Sequence, residues 1–219
     1  APEMEQQYGG LSSDSQSQAL VDKVGQRIVG STKAKETPYK FEFHLLDADN
    51  VLNAFALPGG QVFITSGLLK KLQTEGQLAA VLGHEIGHVV ARHGAEHIAK
   101  TQLTQGLTGA AVIATYDPNN PNSRYSTAVA ALIGQLVSLR FNREDELEAD
   151  KLGVRFTGES GYDPHAMIGV MEILDVAIQG QGRQPEFFST HPNPDHRIER
   201  IQAAIKEIYP QGAPEGLTP

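Results

Sequence analysis

Gln77-Leu78-Ala79-Ala80-Val81-Leu82-Gly83-His84-Glu85-Ile86-Gly87-His88-Val89-Val90-Ala91-Arg92 reads as one helix, apolar nearly all round, with two histidines and a glutamate set into it. Residues four apart on a helix sit one above the other, so His84 and His88 share a face and Glu85 lies beside the first. That spacing offers two imidazoles to one zinc ion and a carboxylate to a water on it. A buried carboxylate with no partner costs several kcal/mol, and a metal with its water removes that cost. The metal reading is therefore preferred over a pair of satisfied core histidines. Thr74 followed by Gln77 fits a capping box at the helix start, and Gly94 supplies a stop. His93 and His97 fall on other faces or beyond that stop, and read as surface or helix-end residues. An extended metzincin motif needs glycine at 91 and histidine at 94, where this chain has Ala91 and Gly94.

Composition narrows the remaining choices. The chain has 219 residues, 40% of them hydrophobic, enough for one core and a single domain. A net charge of -8, with 18 basic against 26 acidic residues and no basic tract, argues against nucleic acid as a partner. With no cysteine present, any metal must be held by His, Asp or Glu. No apolar run is long enough to cross a bilayer, so no transmembrane segment is expected; the best, Leu107 to Thr115, is short and rich in Gly, Ala and Thr. The chain opens on Ala1, which leaves export open.

A third ligand comes from the stretch between Tyr125 and Glu159, read as one long helix closed by Gly161. Projected at 3.6 residues per turn, Leu132, Leu136 and Leu139 lead to Arg143, Glu146, Asp150 and Gly153 on one stripe. Glu144, Glu148, Lys151 and Arg155 form another stripe, charged as a solvated face is. Glu146 is thus the expected third zinc ligand. Asp150, one turn on, suits a partner that orients a ligand histidine through its ring N–H.

The rest is scaffold and approach. Residues 1–12 read as a flexible lead, 13–209 as the single domain and 210–219 as a disordered tail. A helix runs from about Ser13 to Gly30. Tyr39 to Leu46 alternates as a strand with His44 on its outer face, and Asn53 to Leu57 and Gln61 to Thr65 form a hairpin around Pro58-Gly59-Gly60. A hairpin at a sheet edge either takes up an extended substrate by β-addition or simply supports the core. A further helix spans about Ala95 to Thr115. Residues 117–123 form a loop that is either a flap or plain surface. Asp163-Pro164 starts a helix through about Ala177, Gly180 to Phe188 is loop, and an amphipathic helix ends near Tyr209.

Three motifs in order, Asn53-Ala54-Phe55 with Pro58-Gly59-Gly60, His84-Glu85-Ile86-Gly87-His88 and Glu146-Leu147-Glu148-Ala149-Asp150, resemble peptidase family M48, the prenyl-protease and HtpX-type zinc metallopeptidases of the gluzincin group. The resemblance runs from about Val51 to Ile201. It implies zinc on His84, His88 and Glu146, Glu85 as base, Asp150 behind the ligands, and substrate backbone along Asn53, Ala54 and Phe55. Ser189-Thr190-His191-Pro192 with Arg197 six residues after the histidine resembles the family's closing segment, which implies that His191 and Arg197 face the zinc and stabilise an oxyanion. On the residues alone His191 is an ordinary loop histidine. The lack of membrane spans resembles the soluble branch with periplasmic β-barrel assembly-enhancing proteases. That branch often continues into tetratricopeptide repeats, and no such period is visible here.

The expected fold is α+β and mainly α: a zincin-like metallopeptidase domain with a small β-sheet that includes an edge hairpin. The expected cofactor is one zinc per chain. The expected activity is endopeptidase cleavage of polypeptides, misfolded or envelope proteins among them, in an exported, periplasmic setting. The rival is a chaperone-like protein that holds clients around a structural zinc, with His191 as the residue able to supply a fourth ligand and close a latent site.

Overall fold

The computed structural model describes residues 2–105, 140–181, 185–192 and 196–219. The order is α1 (Pro2–Gln7), α2 (Ser15–Ser31), a 3-10 turn at Lys33–Glu36, β1 (Glu42–Leu46), β2 (Ala54–Ala56), β3 (Gln61–Thr65), α3 (Ser66–Leu69), α4 (Glu75–Val90), α5 (His93–Gln105), α6 (Arg143–Glu159), α7 (Ala166–Gln181), α8 (Phe187–Thr190) and α9 (Arg197–Ile208). Helices dominate around one three-stranded sheet, as an α+β, mainly α domain should look. No helix among the described residues is long and apolar enough to cross a membrane.

The sheet runs β1-β3-β2, with β1 parallel to β3 and β2 antiparallel to it through Phe55 opposite Phe63. Its two edges are treated differently. Along β1, side chains of α2 take the free peptide groups: Gln18 Nε2 donates to the Phe43 carbonyl at 2.9 Å, Gln18 Oε1 accepts from the Leu45 amide at 2.8 Å, and Gln26 Nε2 donates to the Phe41 carbonyl at 3.1 Å. A strand capped in this way cannot pair with another chain. β2 is the other edge, and it lies beside α4.

Helix α4 is the centre of the molecule, buried from Gly76 to Val89 and packed against α2, α6, α7, β2 and β3. The Thr74 side chain caps it by accepting from the Gln77 amide at 3.1 Å. Its end differs from the expected Gly94 stop. Arg92 turns the chain with φ 65°, α5 restarts at His93, and Gly94 lies inside the new helix. A left-handed non-glycine residue costs about 1–3 kcal/mol and persists where its surroundings enforce it.

Other boundaries also move. Asn142 caps α6 through a capping box with Asp145, so the described helix begins at Arg143; residues 125–139 of the expected long helix, the end of the helix expected to Thr115 and the loop at 117–123 lie outside the described residues. The lead is held: Tyr8 is buried, the Ser12 amide donates to Leu45 at 2.8 Å and the Asp47 amide to Gly10 at 2.9 Å. The tail is held too, because Thr218 pairs with Tyr162 and the Pro219 carbonyl accepts from the Gly76 amide at 2.8 Å. Polar, Gly- and Pro-rich composition signals disorder only where no partner offers unpaired peptide groups, and here the body offers them. His44 is half-buried, its ring stacked on Phe63 at 4.8 Å.

Candidate metal centre

Helices α4 and α6 approach closely because small residues face each other. A Cβ on Gly83 would stand 3.3 Å from the Gly153 carbonyl, one on Gly87 would stand 3.2 Å from the Ala149 carbonyl, and one on Gly153 would stand 3.1 Å from the His84 amide. Side chains that leave this seam on the adjoining face therefore meet. His84 and His88 come from α4, Glu146 and Asp150 from α6, and all four are buried. His191, at the C-terminal end of α8, is fully buried among them, its amide donating to Phe187 at 2.9 Å.

The donor spacing fits zinc. His84 Nε2 lies 3.1 Å from His88 Nε2, 3.3 Å from His191 Nδ1 and 3.7 Å from Glu146 Oε2; Glu146 Oε1 lies 3.4 Å from His88 Nε2 and 3.0 Å from His191 Nδ1. A tetrahedral ion with bonds of 2.0–2.1 Å has donors about 3.3 Å apart. Among the described residues, His84, His88, Glu146 and His191 form the one group of this kind. Glu85 stands alongside, 1% exposed, with neither carboxylate oxygen hydrogen-bonded and Oε1 3.5 Å from His191 Nε2.

Charges are graded across the cluster. Burial pushes the Glu85 carboxyl up despite nearby His191 and His84. Burial pushes His88 well below the usual imidazole range, which favours the neutral form a ligand needs. Burial alone would raise Glu146, but His191 and His88 hold it well below the carboxylate range. Burial would likewise raise Asp150, yet Arg197 and His84 hold it down. Asp150 accepts from Arg197 in a fork, at 2.9 Å to Nε and 2.7 Å to Nη2, and its Oδ1 is 3.0 Å from His84 Nδ1. Arg197 Nη2 also lies 3.1 Å from Glu146 Oε2. The arginine expected to face the zinc thus reaches the centre through these two carboxylates, with Nη1 left unpartnered.

The hairpin forms one wall. Asn53 is buried just before β2, its Nδ2 3.2 Å from both Tyr8 Oη and Glu186 Oε1; Tyr8 Oη itself donates to Glu186. The Phe187 amide donates to the Leu52 carbonyl at 3.0 Å, which ties α8 to the approach of β2. Phe55, Ala56 and Leu57 continue that wall, whereas Ala54 is fully buried and does not line the cavity. The cavity between Phe55, Phe141 and His191 is about 20 Å³, room for about one water. A larger groove of about 570 Å³, with Asp14, Asp47 and Lys70 on its walls, contains none of these residues.

Several neighbours escape a sequence reading. Phe141 stacks on His88 at 4.0 Å, and its amide donates to the Thr190 carbonyl at 3.0 Å. Tyr8 and Glu186 come from stretches read as lead and loop. His93, expected at the surface or a helix end, does open α5 but is 5% exposed, with Nδ1 3.0 Å from His88 Nδ1. The turn at Arg92 brings it back, and no residue type there announces a left-handed backbone. His97 pairs with Asp145 at 2.6 Å, away from the cluster.

The helix that carries His84, Glu85 and His88 thus packs against a second helix that carries Glu146 and Asp150. The sequence pattern of peptidase family M48 matches residues 15–205, and the chain belongs to that family. It is 33% identical over 200 residues to the β-barrel assembly-enhancing protease of Escherichia coli, a match covering 87% of this chain and 39% of that protein. It is 35% identical over 187 residues to the mitochondrial metalloendopeptidase OMA1 of Schizosaccharomyces pombe, covering 85% of this chain and 52% of that protein. The chain thus spans about two fifths to one half of the length of these relatives.

Proposed function

We propose that this domain is a zinc-dependent endopeptidase that binds one zinc through His84, His88 and Glu146 and uses Glu85 as its general base. The observation that carries the reading is the Glu85 carboxylate, buried and without a hydrogen-bond partner beside a tetrahedral donor set. Such a group is costly unless it works on something that enters the site. When bound, zinc acidifies a water and polarises the scissile carbonyl. Glu85 accepts the proton at its carboxylate and returns it to the leaving amine. Its upward pKa shift is the direction that matches it to both transfers near neutral pH. Asp150 orients His84, and Arg197 neutralises Asp150 and Glu146 together. Asn53, Ala54 and Phe55, at the β2 edge of the sheet, receive the substrate backbone by β-addition.

A second reading rests on His191. Its Nδ1 sits at ligand spacing from His84 and Glu146, which favours a closed, latent centre. A permanent four-ligand site is the chaperone-like alternative, in which clients are held and not cut. The two join if the domain rests closed and opens when α8 moves; with His191 released, its ring is free to stabilise an oxyanion. The substrates we propose are misfolded polypeptides, in quality control of the cell envelope and a periplasmic setting; the support is likeness to a protein named for enhancing β-barrel assembly.

Zinc content and casein cleavage test this together. Glu85→Gln should retain one zinc per chain and lose about 10²–10⁴-fold in rate, the usual worth of a general base. A chelator should abolish wild-type cleavage and zinc should restore it. Wild-type cleavage by the Gln variant, or by metal-free protein, would remove the mechanism.

A further inference from the structure

His84 and His88 point their Nε2 atoms at each other and at Glu146, so both rings turn Nδ1 away from the centre. A neutral imidazole that offers Nε2 to a metal carries its proton on Nδ1, and that proton needs an acceptor when the ring is buried. For His84 the acceptor is Asp150, at 3.0 Å. For His88 no carboxylate among the described residues pairs with Nδ1. The atom there is His93 Nδ1, at 3.0 Å, and His93 Nε2 lies 3.5 Å from Glu148 Oε2.

We propose that His93 is a positioning residue for the zinc site: it accepts the Nδ1 proton of His88, carries its own on Nε2, and passes that hydrogen bond toward Glu148. Two nitrogens 3.0 Å apart share one proton, so the tautomer of either ring sets that of the other. With Nδ1 protonated on His88, His93 must be the Nε2–H form, and that form faces a carboxylate. Three further features agree. His93 is 5% exposed although it opens a helix. The left-handed Arg92 immediately before it turns the ring back over α4. The Phe141 ring stacked on His88 at 4.0 Å closes the side of the imidazole that His93 does not touch. Each ligand histidine of α4 thus has its own acceptor, a carboxylate for the first and an imidazole backed by an exposed carboxylate for the second.

The inference rests on the zinc reading above, and the experiment separates the two. Zinc affinity of the wild type, His93→Leu and His93→Asn is measured by competition with a chromophoric chelator. The Leu variant should bind zinc about 10–100-fold more weakly, as loss of such an acceptor does. The Asn variant, whose Oδ1 can stand where Nδ1 stood, should recover most of that loss. Imidazole ¹⁵N shifts of zinc-loaded wild type provide a readout that needs no variant to fold, and should report His88 protonated at Nδ1 and His93 at Nε2. Wild type that binds no zinc overturns the site and this inference with it. Wild type that binds zinc, with the Leu variant equally tight or His93 protonated at Nδ1, overturns the role of His93 alone.

Discussion

His191 carries the most consequence of any single residue here. On its own it sits in a Pro-flanked loop, and nothing in Thr190-His191-Pro192 requires burial; folded, it is fully buried, stacked on Phe187 at 4.4 Å. Burial depresses its imidazole, but Glu146 and Glu85 outweigh that and raise it, so the ring is held by charge as well as by packing. About 20 Å³ is free beside it, so on the latent reading proposed above a peptide enters when the ring leaves. His191→Ala is therefore expected to keep one zinc per chain and raise basal casein cleavage above wild type. A fall of about 100-fold, the usual cost of losing one oxyanion donor, would instead show that the role proposed for the released ring outweighs its action as a latch.

At the scale of elements, the site is made by the seam between α4 and α6. Helical periodicity placed Glu146 and Asp150 on the buried stripe and Glu144 and Glu148 outside it, and the folded chain agrees for all four. The seam is less legible in sequence, because Gly83, Gly87 and Gly153 lower helix propensity, Ala149 favours it, and none of the four says which helix it faces. Gly153→Val tests it. A side chain there meets Met167 Cε at 2.6 Å and the His84 amide at 3.1 Å, so the helices must separate and carry Glu146 away from the histidines. The expected result is a loss of about 1–3 kcal/mol, a fall of the order of 2–4 °C in Tm per kcal/mol, and weakened zinc binding. Gly30→Ala, on α2 with no atom within 4 Å of the added carbon, should leave zinc binding unchanged and raise stability by up to about 1 kcal/mol. Equal behaviour of the two variants would show that the seam does not position the site.

Over the whole molecule, residues near both ends of this sequence are tied to the elements that frame the candidate site. Residues 10–12 close one end of β1, and residues 218–219 reach Gly161, Asp163 and the first turn of α4. Thr218→Pro removes the amide that donates to the Gly161 carbonyl at 3.0 Å. About 1 kcal/mol of stability should go with it, read as a Tm lower by about 2–4 °C with zinc stoichiometry unchanged. An unaltered Tm would mean that the tail only rests on the body.

What the sequence determined by itself is whatever depends on periodicity and residue type: the buried helix with His84, Glu85 and His88, the stripe that selects Glu146 and Asp150, the hairpin and its edge, and, from ordered motifs, the family. These are local properties, legible because helices and strands repeat at fixed intervals. Only the tertiary structure decided which groups from distant stretches share one donor set. His191 beside His84, Arg197 forked onto Asp150, and Tyr8 with Glu186 holding Asn53 all join residues more than 40 positions apart. His93 is the exception, five residues from His88, yet hidden for the same reason. A single left-handed residue resets the phase of the helix, and backbone phase is fixed by the packing around it, not by the letters that precede it.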